Sequence, residues 1–322
     1  MAPPLYKIVK QVPLGAPDKW DFVSLGPQGK RVYVSHQDKI SIVDTETAKL
    51  IGTVGPIEGA HGAVVVPSVG RLYADNGKSG TVSVFDAKTL RHLGEIPTQP
   101  DSDAMAYDDT RGILIVSNGD SGTATLIDPK TDKALATFKI GPGGEGIATD
   151  GRGHAFINIS DGRAMVRIDL AARKVDAHWP LKNCESPHGL AIDRKTQRLF
   201  VSCRNKTMLV VDSTNGKTVA SLPIGRGTDS AAFDPKRKLA FSSNKDGTIS
   251  VVAEQGPNVY RALAPIPTAP GAATMAEDPR TGRIYVVTAD VVSTLPAHHR
   301  GEVPEYAFRP GTVKLLVLDP RS

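Results

Sequence analysis

Short segments in which hydrophobic and polar residues alternate follow one another along the whole chain, as expected of β-strands with one buried face. No stretch of useful length shows the 3.6-residue period of an amphipathic helix. Polar tight turns separate the segments, as at residues 76–80, which read Asn-Gly-Lys-Ser-Gly. The pattern therefore predicts an all-β protein.

One phrase, usually an aliphatic pair followed by Asp, recurs along the chain. Its last residues are Asp44, Asp86, Asp128, Asp169, Asp212, Ala253 and Asp319. Successive copies are 41 to 43 residues apart, except for a final interval of 66. A period in the low forties built from short strands is typical of propeller blades. We therefore predict one seven-bladed β-propeller over residues 1–322, with four antiparallel strands in each blade.

The two ends of the chain predict how the ring closes. The seventh blade lacks an outer strand, and residues 5–14 form a strand-like segment without a partner in the first blade. Pairing of these two segments would satisfy their open edges, so the N-terminal strand should complete the last blade.

The long final interval predicts an insertion at residues 289–311 in blade 7. Loops of this length in compact domains are usually functional or disordered. We expect it to reach over the channel as a lid and to bring His298 or His299 to a ligand. A surface loop without a role is the alternative.

One polar position recurs at the start of the innermost strand of each repeat, and we call it the inner slot. It holds Asp21, His61, Asp103, Glu145, His188, Asp229 and Ala273. Because innermost strands surround the propeller axis, the six titratable residues should meet at one mouth of the central channel. A second polar tier at the ends of the second strands adds His36, Asn118 and Arg204 as candidate ligand contacts.

Carboxylates that converge on one axis repel one another unless protons, water, imidazolium groups or a cation relieve the repulsion. Imidazole ligands favour Zn, Cu, Mn, Ni or Fe over Ca or Mg. The inner slot therefore predicts a divalent transition metal held by His61 and His188, with Asp103 or Glu145 between them. A wide, water-filled channel lined by polar residues is the alternative.

The leading functional hypothesis is a metal-dependent enzyme that acts on a small molecule. Asp103 or Glu145, where not bound to the metal, would be the general base, and Asp21 and Asp229 would contact the substrate or support the ligands. One alternative is a binding module for a protein, a glycan or a nucleic acid. Another is an enzyme that uses a His and carboxylate pair without a metal.

The chain has two cysteines, Cys184 and Cys203. Cys184 precedes the innermost strand of the fifth repeat and Cys203 ends its second strand, so both are expected on the mouth face near His188. A disulfide is favoured if the compartment is oxidising. A thiolate ligand beside His188, which would imply copper or zinc, is the alternative.

The net charge of +5 comes from Lys and Arg residues scattered over the turns, which favours a solvated surface over a nucleic-acid groove. No run approaches the roughly 18 apolar residues of a membrane span. We also expect the protein to be a monomer. The first four residues lack the features of a secretory signal, so the chain is either cytosolic or has lost such a signal.

Several phrases together resemble the YncE-like, YVTN-repeat propellers of bacteria. They lie at residues 20–22, 61–62, 100–103, 179–181, 198–205 and 243–248, and among them are Trp20-Asp21-Phe22 and His61-Gly62. The resemblance covers almost the whole chain. It implies a seven-bladed, exported protein, periplasmic or secreted, in which a disulfide is plausible, and it implies no particular reaction.

Two positions depart from the pattern of that family. His188 stands where relatives tend to have a small residue, and Ala273 stands where they tend to have Arg. Loss of a cation and gain of an imidazole make the mouth more suited to a metal, and put an anionic ligand shared with the family in doubt.

Overall fold

The computed structural model describes residues 5–297 and 303–321. Every regular element in these residues is a β-strand, so they include no helix that could cross a membrane. Seven antiparallel four-stranded blades form a ring, which confirms the predicted seven-bladed β-propeller.

The described chain begins with β1 (Tyr6–Pro13), which is not part of the first blade. Blades 1 to 3 then follow, each a meander of four neighbouring strands. Blade 1 contains β2 (Val23–Leu25), β3 (Arg31–His36), β4 (Lys39–Asp44) and β5 (Lys49–Val54). Blade 2 contains β6 (Ala63–Val66), β7 (Arg71–Asn76), β8 (Thr81–Asp86) and β9 (His92–Pro97). Blade 3 contains β10 (Ser102–Asp108), β11 (Ile113–Asn118), β12 (Thr123–Asp128) and β13 (Lys133–Lys139).

Blades 4 to 6 repeat the same meander. Blade 4 contains β14 (Gly144–Thr149), β15 (His154–Ile159), β16 (Ala164–Asp169) and β17 (Lys174–Pro180). Blade 5 contains β18 (Pro187–Asp193), β19 (Arg198–Cys203), β20 (Thr207–Asp212) and β21 (Thr218–Pro223). Blade 6 contains β22 (Thr228–Asp234), β23 (Leu239–Asn244), β24 (Thr248–Gly256), β25 (Val259–Ala262) and the short β26 (Ile266–Pro267), which also pairs with β24.

Blade 7 is built from both ends of the chain. Its inner strands are β27 (Met275–Asp278) and β28 (Arg283–Thr288), and the insertion carries β29 (Val291–Leu295) and β30 (Glu305–Phe308) before β31 (Lys314–Pro320). β1 pairs antiparallel with β31 from Tyr6 opposite Pro320 to Pro13 opposite Lys314. The predicted closure of the last blade by the N-terminal strand is therefore present.

The insertion in blade 7 is more ordered than the loop that we expected. β29 and β30 pair antiparallel, from Val291 opposite Phe308 to Leu295 opposite Glu305. β-Branched and aromatic side chains, which favour strands, dominate both segments. His298 and His299 lie outside the described residues.

The Asp of the repeated phrase closes the turn between the third and fourth strands. Asp44 Oδ1 accepts hydrogen bonds from the backbone N–H and from the hydroxyl of Thr47, both at 2.7 Å. These hydrogen bonds, the backbone one most, lower the pKa of Asp44. Blades 1 to 5 use this turn, whereas blade 6 has Ala253 at this position and in blade 7 Asp319 pairs with Arg283.

Apolar side chains of the second and third strands fill the spaces between neighbouring blades. One such cluster joins blades 3 and 4 through Ile115, Leu126, Ile157 and Val166, all at most 1% exposed. The core is therefore spread around the ring, and polar residues are free to line its centre.

Candidate functional site

The six titratable residues of the inner slot lie next to one another at one end of the channel. Asp21 and Asp103 both contact His61, and Glu145 contacts His188. The charge of Asp229 raises the pKa of both Asp21 and Glu145, although burial is the larger cause at each. The six residues thus lie near one another around the mouth, with Ala273 in the seventh place, and we call this group the mouth ring.

Irregular backbone places four of these residues. The pairing of first and second strands shifts register across the inner slot in blades 3 to 6, at Asp103, Glu145, His188 and Asp229. Such bulges redirect side chains and are frequent next to active sites. Small residues then let neighbouring inner strands approach: a Cβ added at Gly146 would lie 2.6 Å from the carbonyl oxygen of His188.

Asp21, His61 and Asp103 form the tightest cluster of the ring. Nδ1 of His61 lies 2.9 Å from Oδ2 of Asp21 and 3.3 Å from Oδ1 of Asp103. Each of the three residues offers one ligand atom, and these atoms all lie within 4.8 Å of one another. One imidazole nitrogen and two carboxylate oxygens at this spacing are a suitable donor set for a divalent transition metal.

A buried carboxylate holds the backbone of this cluster. Asp75 is fully buried, and its two oxygens accept hydrogen bonds of 2.7 Å from the backbone N–H groups of His61 and Gly62. Asp75 was not among the site residues predicted from the sequence. The available signal was its position next to the last in β7, where blades 1, 3, 5 and 6 have Ser35, Ser117, Ser202 and Ser243.

The other face of the His61 ring rests on a glycine. A Cβ added at Gly77 would lie 2.7 Å from Nε2 of His61 and 3.2 Å from the carbonyl oxygen of Gly59. The absence of a side chain at Gly77 therefore leaves room for the imidazole. With Nε2 against this backbone, Nδ1 is the nitrogen that faces the carboxylates.

The electrostatics of the cluster are dominated by burial and by proximity of charges. Burial opposes protonation of His61, but the hydrogen bond with Asp21 and the charges of Asp75 and Asp103 raise its pKa to about 10. Burial, and next the charge of Glu145, raise the pKa of Asp103 well above its usual value. The cluster thus holds an imidazolium between acids, the kind of charge that a bound cation would replace.

His188 and Glu145 form a second, separate pair. Nε2 of His188 lies 3.4 Å from Oε1 of Glu145, and Nδ1 lies 2.9 Å from the carbonyl oxygen of Ser186, to which it donates. Burial, and next the charge of Arg204, lower the pKa of His188. Burial, and next the charge of Asp229, raise the pKa of Glu145 to about 7. A neutral imidazole faces a carboxyl group that titrates near neutrality.

The predicted set of metal ligands is therefore divided in this structure. His61 and Asp103 are in the three-residue cluster together with Asp21, whereas His188 and Glu145 lie in the second pair. Asp21, which we expected to support the ligands, offers an oxygen of its own.

A disulfide joins Cys184 to Cys203, with their Cα atoms 5.3 Å apart. The pairing confirms the predicted disulfide and leaves neither sulfur as a thiolate ligand. It ties the loop that precedes β18 to the end of β19. That loop includes Ser186, whose carbonyl oxygen accepts the hydrogen bond from His188.

Asp229 lies between two cations. Nη2 of Arg204 is 3.5 Å from its Oδ1, and Nζ of Lys245 is 3.7 Å from its Oδ2. Arg204 was a candidate ligand contact from the sequence. Lys245 was missed, because nothing in its local pattern separates it from the other lysines of the turns.

The structure corrects the expected role of two second-strand residues. His36 and Asn118 are both fully buried. His36 hydrogen-bonds with the hydroxyl of Ser41 and with the carbonyl oxygen of Pro17, and Asn118 donates to the hydroxyls of Thr123 and Thr125. The side chains of His36 and Asn118 are hydrogen-bonded within the fold, so they are not available to a ligand.

A cavity of ≈ 1550 Å³ opens at the mouth face. Asp21, Arg204, Asp229 and Lys245 line its floor, and Tyr306 and Phe308 of the β29–β30 hairpin line its wall. Phe308 packs edge to face against Trp20, with ring centroids 4.9 Å apart. The hairpin therefore borders the opening, where the insertion was expected to act as a lid.

No protein-family model matches the sequence, and a comparison with curated proteins finds no match. Among solved structures, the chain is similar to hydrazine synthase of Kuenenia stuttgartiensis, with a TM-score of 0.70 and 17% sequence identity. The alignment covers 82% of this chain and 91% of that chain. At this identity the likeness shows the propeller fold alone.

Proposed function

We propose that this protein is an exported propeller whose channel mouth binds a divalent transition metal and acts on a small molecule. The observation that carries the proposal is the cluster of Asp21, His61 and Asp103, with three ligand atoms within 4.8 Å of one another. A metal bound there would polarise a substrate oxygen or lower the pKa of a water molecule. Zn, Cu, Mn, Ni and Fe all accept imidazole and carboxylate ligands.

The neighbouring residues have separate roles in this proposal. Asp75 fixes the backbone that carries His61. Glu145, with a pKa of about 7, would accept or return a proton beside the metal site at neutral pH. His188 would hold the carboxyl group of Glu145 in place, since its ring is itself fixed through Ser186.

Two observations support export. The disulfide Cys184–Cys203 favours an oxidising compartment. The resemblance to YncE-like propellers, carried by phrases such as Trp20-Asp21-Phe22 and His61-Gly62, implies the periplasm or the exterior. We propose membership of that family together with this location.

Elemental analysis tests the metal directly. Protein purified without a chelating resin should contain one equivalent of a transition metal, or should gain thermal stability on addition of Zn, Cu, Mn, Ni or Fe. His61→Ala should lose both the bound metal and the gain in thermal stability. His92→Ala is the matched control, because His92 also contacts a carboxylate, Glu95 at 2.9 Å, but on the surface of blade 2. A metal-free protein with no thermal shift would refute the proposal.

The second pair favours one other candidate, a metal-free acid–base enzyme. Glu145 and His188 are in contact, and the pKa of Glu145 is near neutrality, as a general acid or base requires. A reaction that survives chelators but is lost in Glu145→Gln and in His188→Ala would support this candidate. A reaction that stops on chelation would support the metal enzyme instead.

A further inference from the structure

Two cations at the floor of the mouth cavity have unused hydrogen-bonding capacity. Arg204 and Lys245 lie 3.5 and 3.7 Å from Asp229, beyond the usual length of a hydrogen bond. Their side chains are 46% and 42% exposed. Within the described part of the chain, neither head group donates a hydrogen bond to a protein acceptor. A guanidinium and an ammonium group are therefore available to a ligand.

Among the described residues, Asp229 is the one acid within ion-pair distance of these two cations. The other acids of the cluster, Asp21 and Asp103, are both in contact with His61. Ala273, the remaining residue of the inner slot, has no charge. An anion at Arg204 and Lys245 would gain a bidentate partner from the donors that Asp229, at 3.5 and 3.7 Å, leaves unused.

The other charged residues that line the cavity favour an anion with a single negative charge. Its lining contains six acidic side chains and five basic ones. A polyanion such as a nucleic acid needs an extended basic surface, and here it would meet acids on every side. A single carboxylate at the two cations avoids that repulsion.

An aromatic residue of the cavity lies close to Lys245, because Gly271, on which Phe308 rests, donates its backbone N–H to the carbonyl oxygen of Lys245 at 2.8 Å. Trp20, Tyr306 and Phe308 all line the cavity. Phe308 is seated on Gly271, where an added Cβ would lie 2.5 Å from its ring, and packs against Trp20. Ligand sites commonly combine such apolar walls with a few polar groups that fix orientation.

We infer that the ligand of the mouth is an aryl or similarly apolar carboxylic acid. Its carboxylate binds Arg204 and Lys245, and its flat apolar body lies against Trp20 and Phe308. The inference rests on the proposed function, because it names the class of small molecule presented to the metal cluster.

Tryptophan fluorescence can test this binding, since the chain has two tryptophans, Trp20 and Trp179. Trp179 packs on Phe156 in blade 4, away from the cavity, so Trp179→Phe leaves Trp20 as the reporter. Phenylacetate should change its emission saturably. The neutral analogue 2-phenylethanol should bind at least about tenfold more weakly, the usual cost of losing a charge-assisted hydrogen bond. Calorimetry on the unsubstituted chain gives the same comparison if that variant does not fold.

Two substitutions should move the affinity for phenylacetate in opposite directions. Arg204→Gln should weaken binding about tenfold or more, because the fork of donors is lost. Asp229→Asn should tighten it, because the competing carboxylate is gone. A general loss of structure would weaken the binding of phenylacetate in both variants, so it cannot produce opposite changes in affinity. Arg91→Gln, in an exposed turn of blade 2, removes the same charge elsewhere and should leave the affinity unchanged.

Equal binding of phenylacetate and 2-phenylethanol would overturn the inference, as would an affinity that Arg204→Gln leaves unchanged. Tighter binding of phenyl phosphate or of an oligothymidylate would overturn it in favour of a phosphate ligand. The metal hypothesis is tested separately. Metal uptake without binding of carboxylates would refute this inference alone, and Arg204-dependent binding by a protein that takes up no metal would refute the proposed function alone.

Discussion

Two sets of carboxylates recur with the period of the blades, and the structure treats them in opposite ways. The turn aspartates, such as Asp44 and Asp169, accept hydrogen bonds from their own turns, the backbone ones most strongly, and their pKa values are lowered. The mouth carboxylates Asp103 and Glu145 are buried beside other acids, and their pKa values are raised. Recurrence alone thus does not separate residues that build the fold from residues held for a ligand.

The difference lies in the donors around each carboxylate. A turn supplies N–H groups to its own Asp, so the charged form stabilises the fold. At the mouth, charged carboxylates face one another and cost stability, as is common for functional sites. The metal and carboxylate sites that we propose would relieve this cost.

Glu277 is a buried carboxyl group outside the mouth ring: it lies in blade 7, where Asp234 and Asp278 are the nearby acids. Within the described residues its Oε1 has no hydrogen-bond partner. Burial, and next the charge of Asp234, raise its pKa from 4.5 to about 8. Unfolded chains lose this proton near pH 4.5 and folded chains near pH 8, so its contribution to stability falls as the pH rises between these values.

Glu277→Gln should remove this decrease in stability with rising pH. Above pH 8 the variant should be more stable than the wild type by on the order of 5 kcal/mol, at about 1.4 kcal/mol for each pKa unit. The difference should vanish near pH 4.5. Urea denaturation at several pH values measures it, and metal uptake should be unchanged. A pH-independent difference would show that the carboxyl group does not titrate as described.

Removal of the disulfide should destabilise the mouth face. Replacing Cys184 and Cys203 by serine frees a loop that spans 19 residues, at a cost of about 3 kcal/mol in the free energy of unfolding. Because the loop positions Ser186 and hence His188, the pKa of Glu145 should also change. Chemical denaturation and NMR titration of the glutamate carboxyls measure the two effects. An unchanged free energy of unfolding would contradict the structural role.

The same chemical change in the two sets of carboxylates should have opposite signs. Asp103→Asn should stabilise the metal-free protein by about 1 kcal/mol at pH 7, because a raised pKa marks a charge that costs stability. Asp212→Asn should destabilise it by about 1 kcal/mol, because Asp212 accepts hydrogen bonds from Thr214 and Arg198. Thermal and urea denaturation compare the two variants.

The destabilisation caused by Asp212→Asn should depend on pH. Asp212 has a lowered pKa, so its contribution to stability is present above its usual value of 3.8 and is lost as the pH falls through the folded pKa. The penalty of Asp212→Asn should therefore disappear in acid. Destabilisation by both variants at pH 7 would contradict the distinction between the two sets.

The fold was accessible from the sequence because the phrase ending in Asp44, Asp86 and its later copies recurs with the period of the blades, and in blades 1 to 5 it marks a local hydrogen-bonded turn. The closure by residues 5–14 followed from edges that must be paired. Position in the repeat likewise predicted which residues share the mouth. These are consequences of period and of alternation, which a sequence displays directly.

The details of the site depend on features that the sequence does not display. Asp103 and Glu145 both lie at register shifts, yet Asp103 contacts His61 and Glu145 contacts His188. His36 was interpreted as a ligand contact although its blade uses both ring nitrogens. Lys245 joins the site only through the packing of neighbouring blades. Side-chain direction, which decides each case, is set by local backbone geometry.

The most direct test is a crystal structure of the protein soaked with Zn or Mn, with an anomalous difference map recorded at the absorption edge of the metal. The account predicts one peak about 2.0–2.2 Å from Nδ1 of His61 and from carboxylate oxygens of Asp21 and Asp103. The peak should be absent in Asp103→Asn and present in Asp212→Asn. A soak at saturating metal concentration that shows no peak between these three side chains would contradict the proposed metal site.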